Sequence, residues 1–293
     1  MYLPHRLLLC LALLVVCAGI LCGQTATGTL TGRVVDPSGA AVVGAEVRLI
    51  NQQTRDTRRL LSDAEGDFVF SDVHPGTFMI AVKADGFKQL ERTNVNLSPS
   101  DRLATGDLRL EVGTVAETVE VTAVGSPIQT ASTERSSLID SKQMTELMAK
   151  GRDVMALLQL LPGVVDDATG SETLGQFQTP TVGGVRQYYN ALNIDGISGN
   201  TARGRTAESP INMDAISEVK VLTNSYPAEY GTAAGMVINL VTKGGTQKFR
   251  GSAYYYNRNE AYNANTFFNN RQSVLRQRYR YNTSGYNLGG PIY

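Results

Sequence analysis

The sequence predicts a β-rich, multidomain protein: an antiparallel β-sandwich, then a mixed α/β domain, then the first strands of a barrel-type sheet. Three observations carry this. Between Thr25 and Val112, apolar residues alternate with period two in about seven short runs separated by turn residues. From Ser126 to Lys243, two segments with helical spacing are mixed with apolar strand-like runs. After Lys243 the chain becomes rich in Tyr, Asn and Arg and alternates over ten-residue stretches. A length of 293 residues is enough for two domains.

The N-terminus reads as a secretory signal over residues 1–23. His5 and Arg6 form a short basic region ahead of the apolar run Leu7–Leu21. That run is shorter than the ~20 residues a membrane-spanning helix needs. Cleavage is expected between Cys22 and Ala26. A lipoprotein reading through Cys22 is disfavoured by the large Leu21 directly before it. Cys10, Cys17 and Cys22 all lie in or beside this segment, so the chain beyond it has no cysteine for disulfides or metal ligation. His74 is the one histidine left there. Lys and Arg balance Asp and Glu at 27 each, so there is no overall field to attract nucleic acid.

Residues 24–112 are expected to form the sandwich. Leu30–Val35 is a strand, and Asp36-Pro37-Ser38-Gly39 fits a type I turn with Pro second and Gly fourth. Ala45–Asn51 follows, with Val47 and Leu49 on one face and Glu46 and Arg48 on the other. Arg58–Leu61, Asp67–Phe70, Thr77–Ala84, Gln89–Leu97 and Leu103–Leu110 complete the set. Turns at Glu65-Gly66, His74-Pro75-Gly76 and Asp85-Gly86 separate them. Val47, Phe68 and Phe70 fall on the apolar phase and are predicted core residues.

Residues 113–125 read as a linker containing one β-prone string, Glu117–Ala123. In residues 126–243, Asp140–Ala149 is predicted as a helix burying Met144, Leu147 and Met148, broken by Gly151. Asp153 caps a second helix that places Val154, Leu157, Leu158 and Leu161 on one face, and Pro162-Gly163 stops it. Thr181–Arg186 and Ala191–Ile194 are predicted as a hairpin closed by Asp195-Gly196. A turn of helix, the strand Ile216–Leu222, a run of small and aromatic residues (Tyr226–Gly235) and the strand Met236–Val241 end this region. In residues 244–293, Lys248–Asn257 and Tyr279–Gly290 are predicted strands, one face suited to lipid and an aromatic girdle, the other to a polar lumen. Arg258–Arg278 between them reads as a polar loop.

Several motifs carry family resemblances. GRVVDPSGAAVVGAEV, SDAEGDFVFSDVHPGTFMIAV and ADGF resemble the carboxypeptidase regulatory-like domain, which implies a transthyretin-like sandwich and no peptidase. GRDVMALLQLLPGV and INMDAISEVKVLTNSYPAEYGTAAGMVINLVTKGGT, with its strand Asn239–Lys243, resemble the plug of TonB-dependent outer-membrane receptors. VGGVRQYYNALNIDGIS resembles another part of that plug, departing at Gln187 where glycine is usual. GSAYYYNRNEAYNANTFFNN and YNLGGPI resemble the opening of the barrel in the Oar-like subgroup. The resemblance implies residence in the outer membrane with the N-terminal domain facing the periplasm. It also implies energy-coupled import of an extracellular nutrient, of carbohydrate or peptide class, with TonB as partner.

On that reading Glu117, Thr118, Val119, Glu120, Val121, Thr122 and Ala123 form a Ton box, the strand such receptors offer to TonB by edge-strand addition. The alternative is a last sandwich strand or an extended linker. No cofactor, metal or nucleic acid is expected. The basic and aromatic Arg271–Tyr281 is better read as barrel loop and strand than as a nucleic-acid surface. Val182-Gly183-Gly184 lacks the lysine and following helix of a phosphate loop. Asp195, Asp214 and Glu229 are too scattered for acid–base work and read as solvated or capping groups. No enzyme is expected. Two strands cannot close a barrel whose every edge must be paired in lipid, so the chain reads as part of an interrupted or incompletely sequenced reading frame. A soluble periplasmic binding or adhesion module is the rival reading.

Overall fold

The computed structural model describes residues 27–113, 118–122, 132–147, 152–165, 179–200, 211–231 and 233–291. The predicted signal segment, Glu117, Ala123, Met148 and Gly151 lie outside them. The chain divides into two compact units, Met1–Lys243 and Gly244–Tyr293.

The first unit opens with seven strands: β1 (Gly28–Val35), β2 (Glu46–Asn51), β3 (Thr57–Leu61), β4 (Asp67–Val73), β5 (Gly76–Lys83), β6 (Gln89–Leu97) and β7 (Arg102–Arg109). An eighth, β8 (Thr118–Thr122), joins them. They form two sheets, ordered β4-β1-β7 and β3-β2-β5-β6-β8. The period-two pattern puts Leu30, Val34, Val47, Leu49, Phe68, Phe70, Ile80 and Val82 in one core between the sheets. The sandwich is not wholly antiparallel. β1 pairs parallel to β7, and β6 parallel to β8, because the chain crosses between sheets after β6 and returns afterwards. Alternation shows which face is buried but says nothing of strand direction. At the first turn the Asp36 carboxylate accepts from the Ser38 and Ala40 amides at 2.8 and 2.9 Å, and Gly39 takes φ +88°. Gly32 is required by packing. A Cβ there would lie 2.1 Å from Thr105 Oγ1 and 2.5 Å from the Phe68 ring.

The same unit continues as an α/β domain. Its strands are β9 (Arg135–Asp140), β10 (Val164–Val165), β11 (Thr181–Val182), β12 (Ala191–Ile194), β13 (Ile197–Ser198), β14 (Ile216–Asn224) and β15 (Val237–Thr242). The main sheet has the order β13-β12-β15-β14-β9. Helix α1 (Ser141–Glu146) starts at Asp140, which forms a capping box with Gln143. It ends earlier than predicted. Leu147 is already extended and 39% exposed, so of the three predicted residues Met144 is buried, Leu147 is not, and Met148 lies outside the described residues. Helix α2 (Val154–Leu157) is capped by Asp153, tightens into a 3₁₀ turn over Leu158–Leu160, and stops before Gly163 at φ +81°. Val154, Leu157 and Leu158 pack with Val219, Val221, Ile238 and Leu240 into a second core.

The predicted hairpin of Thr181–Arg186 with Ala191–Ile194 is corrected. Gly183 and Gly184, both at positive φ, turn the chain after β11, and β11 pairs with β10. Asp195-Gly196 instead closes β12 onto β13, while the other edge of β12 pairs parallel with β15. An Asp-Gly turn with both φ positive joins the two strands it directly separates.

In the second unit, β16 (Arg250–Asn259) and β17 (Arg280–Gly289) form an antiparallel ladder without a register shift. Tyr255, Tyr286 and Leu288 are exposed on alternating positions. The intervening segment is not simply a loop. It holds a 3₁₀ turn at Glu260–Tyr262 and helix α3 (Phe267–Arg271), capped by Thr266.

Candidate functional site

Strand β8 contains Thr118, Val119, Glu120, Val121 and Thr122. It runs parallel to β6 in an unbroken register from Gln89↔Thr118 to Thr93↔Thr122 and is the edge strand of its sheet. The chain reaches it from a pinned point. The Lys88 amide donates to the Glu111 carbonyl at 2.8 Å, Phe87 bridges Val112, and the Gly113 amide donates to Gly86 at 3.2 Å. Downstream of β8 the next described residues are Ser132, Thr133 and Glu134, which lead into β9.

Glu134 enters a buried polar joint between the sandwich and the α/β sheet. On β14, Val219 and Val221 face the helices, so Lys220 between them projects from the opposite face. Its Nζ lies 2.7 Å from Asp101 Oδ1 and 2.6 Å from Glu134 Oε1. The three side chains are 3%, 9% and 2% exposed. Asp101 sits in the turn between β6 and β7. Its other oxygen accepts the Ser98 amide at 2.8 Å, and its carbonyl accepts the Thr29 amide at 2.7 Å. Two residues from Lys220 on the same face, Glu218 accepts from Ser98 Oγ at 3.2 Å. Ser100 Oγ hydrogen-bonds the Tyr230 hydroxyl. Asn239 donates to that hydroxyl at 3.3 Å and accepts from Asn193 at 2.9 Å.

The electrostatics follow from burial. Desolvation presses on the Lys220 ammonium, but the charge and hydrogen bond of Asp101, followed by those of Glu134, outweigh it and hold the pKa above its ordinary value. Burial pushes the Glu218 carboxyl up to about 7, against the Ser98 hydrogen bond and with the charge of Asp101 adding to the rise. One cation thus serves two carboxylates, while a third carboxyl close by is held near its titration point. Such a joint fixes orientation between two domains.

The carboxylates singled out from sequence are not brought together. Asp195 accepts the Thr242 amide and hydroxyl at 2.9 and 2.7 Å and ends β15. Asp214 pairs with Arg152 at 2.6 Å, both 15% exposed, so it is neither the solvated nor the capping group expected, the cap there being Asn212, while Glu229 is exposed as expected. Sequence reasoning missed the joint altogether. One signal was available: a lysine inside the apolar run Val219–Leu222 needs a buried partner.

Three family descriptions match successive parts of the chain: the carboxypeptidase regulatory-like domain at residues 29–111, the TonB-dependent receptor plug domain at 128–237, and an outer membrane beta barrel domain at 241–293. The TonB-dependent transporter Oar of Myxococcus xanthus is 26% identical over 254 residues, 82% of this chain and 23% of the relative. The chain therefore spans about a quarter of the length of that relative. Among solved structures, the siderophore receptor PirA of Acinetobacter baumannii aligns with TM-score 0.39 and 21% identity over 54% of this chain and 22% of its own. PirA of Pseudomonas aeruginosa aligns with TM-score 0.34 and 23% identity, covering 43% and 21%. Sandwich, plug and opening barrel strands follow one another in the order the three descriptions give, and in this the chain is similar to the TonB-dependent outer-membrane receptors, Oar among them.

Proposed function

We propose that the protein takes part in energy-coupled uptake at the outer membrane, with Glu117–Ala123 as the Ton box that engages TonB. The observation that carries this reading is β8 itself. It is an extended strand at a sheet edge, placed directly ahead of the plug, and an edge strand offers main-chain hydrogen bonds to a partner strand. A pull on β8 would be transmitted along the chain to Glu134, and so to the ion pair with Lys220 on β14, an interior strand of the plug sheet. The sandwich would face the periplasm after removal of the N-terminal signal. The proposed cargo is an extracellular nutrient of carbohydrate or peptide class. Siderophores, named for the solved PirA receptors, are the competing class.

The test is binding of the TonB C-terminal domain to a peptide spanning Val115–Ser126. Val119→Pro or Val121→Pro removes a backbone donor and fixes φ, and should abolish binding. Equal affinity for wild-type and proline peptides would rule out strand addition at this segment.

A further inference from the structure

Resting on that Ton-box reading, we propose that the sandwich presents β8 to TonB as a preformed edge. TonB adds on the side of β8 away from β6 and extends the five-stranded sheet by one strand, instead of capturing a released peptide.

The four edges of the sandwich are not alike. At the edge opposite β8, β3 carries Arg58 and Arg59, and Arg58 reaches across to the carbonyls of Ser71 and Asp72 at 2.7 and 3.2 Å. That strand is charged and tied to the other sheet. Edge β4 is kinked by Asp72 at φ +52°, and its pairing with β1 shifts register. Edge β7 is kinked by Gly106 at φ +69° and also shifts register against β1. Charge, bulges and bridging side chains are the means by which sheets discourage addition of another strand. β8 carries no bulge and a single charged residue, Glu120. Its ladder has no register shift, its sequence has no Pro, Lys or Arg, and four of its five residues are β-branched.

A strand already held extended has lost most of its backbone freedom, so a partner strand meets a smaller ordering cost than with a free peptide. The attachment to β6 also keeps the segment in one register. Bond directions permit this: in a parallel ladder successive residues point their amide and carbonyl groups to opposite sides. One side of β8 is satisfied by β6, and the outer side faces no strand among the described residues.

The competing mechanism, release of β8 before capture, makes the opposite prediction on affinity. The test cross-links β8 to β6 through their register partners Glu91 and Glu120. Glu91→Cys and Glu120→Cys are introduced in the full chain, in detergent, with Cys10, Cys17 and Cys22 changed to Ser. TonB C-terminal domain binding is measured for the oxidised chain, the reduced chain, and Val115–Ser126 peptides with and without Glu120→Cys. Preformed presentation predicts that the chain binds about tenfold or more tightly than the peptide, and that oxidation changes affinity less than about twofold. Loss of binding on oxidation, restored by reductant, would overturn it in favour of release, as would weaker binding by the reduced chain than by the peptide. Failure of the disulfide to form would show that the β6–β8 register is absent and overturn it equally. If the peptide binds while the oxidised chain does not, the Ton-box reading stands and this inference alone falls. If neither binds, both fall.

Discussion

Replacing Lys220 with methionine tests the joint most directly. Methionine keeps most of the side-chain volume and removes the charge, so packing on β14 is preserved while Asp101 and Glu134 lose their cation. Both carboxylates are at least nine-tenths buried as side chains, at 9% and 2% exposure. Stranding buried charge in this way costs about 3–5 kcal/mol. Against a typical domain stability of about 5–15 kcal/mol, that is a large fraction. The assay is urea unfolding of the full chain followed by circular dichroism, since there is no tryptophan to report. Limited proteolysis between β8 and β9 supplies a second readout, because two domains need not unfold as one. We expect a lower midpoint and faster cleavage between β8 and β9. The control is Lys220→Met combined with Asp101→Asn and Glu134→Gln, which leaves no ion stranded and should recover most of the loss. A single-variant cost below about 1 kcal/mol, the range of an exposed pair, would refute the claim that these charges are desolvated and mutually dependent.

Other perturbations follow from the same geometry. Glu218 is pushed from 4.5 up to about 7 in the folded chain. Both states hold its proton below pH 4.5, so there is no penalty there. As pH rises through that window the unfolded chain ionises first, and the stability contributed is lost by the time pH passes 7. Glu218→Gln should therefore match the parent at pH 4 and gain up to about 3 kcal/mol at pH 8, measured by denaturant unfolding at each pH; no difference at pH 8 would be a contradiction. Phe70, 2% exposed and edge-to-face with Phe68 at 6.0 Å, should cost about 3–5 kcal/mol on truncation to alanine, and an unchanged thermal midpoint would refute its core placement. Gly235→Ala places a Cβ 2.2 Å from Asn190 Oδ1, the acceptor of the Met236 amide at 3.0 Å. Displacing that buried acceptor should cost about 1–3 kcal/mol, visible as faster amide exchange at Met236.

Strand positions in the sandwich were legible because burial of one face writes itself into the sequence at every second residue. Val47, Phe68 and Phe70 were recoverable that way. What alternation leaves unwritten is pairing direction, and the parallel partners of β1 and β6 are far away in the chain. The hairpin error at Thr181–Ile194 has the same origin. Adjacency in sequence suggested a partner, while the strand that pairs with β12 in parallel is β15, far downstream. Motif text located the plug and the opening barrel strands better than periodicity did, since turn glycines and the Asn239–Lys243 strand are local features. The joint was out of reach because Lys220 stands 119 residues from Asp101 and 86 from Glu134. The lysine among valines announced that a partner exists, not which one.

The charged joint also bears on why the contact is ionic at all. An apolar patch of similar size would hold the two domains together at least as well, because an ion pair must first offset its own desolvation. What the ions add is exclusivity. Lys220 is satisfied only when Asp101 of the β6–β7 turn and Glu134 of the β9 approach both reach it, so the domains cannot slide by a residue and keep the contact. The same dependence makes the joint brittle. Withdrawing Lys220 strands both carboxylates, so the free energy changes over a short displacement instead of declining gradually as sliding apolar surfaces would. On the reading proposed above, Glu134 is a fixed point that tension on β8 would meet. A contact that is rigid until it breaks would pass that force to β14, an interior strand of the plug sheet, with little lost in compliance.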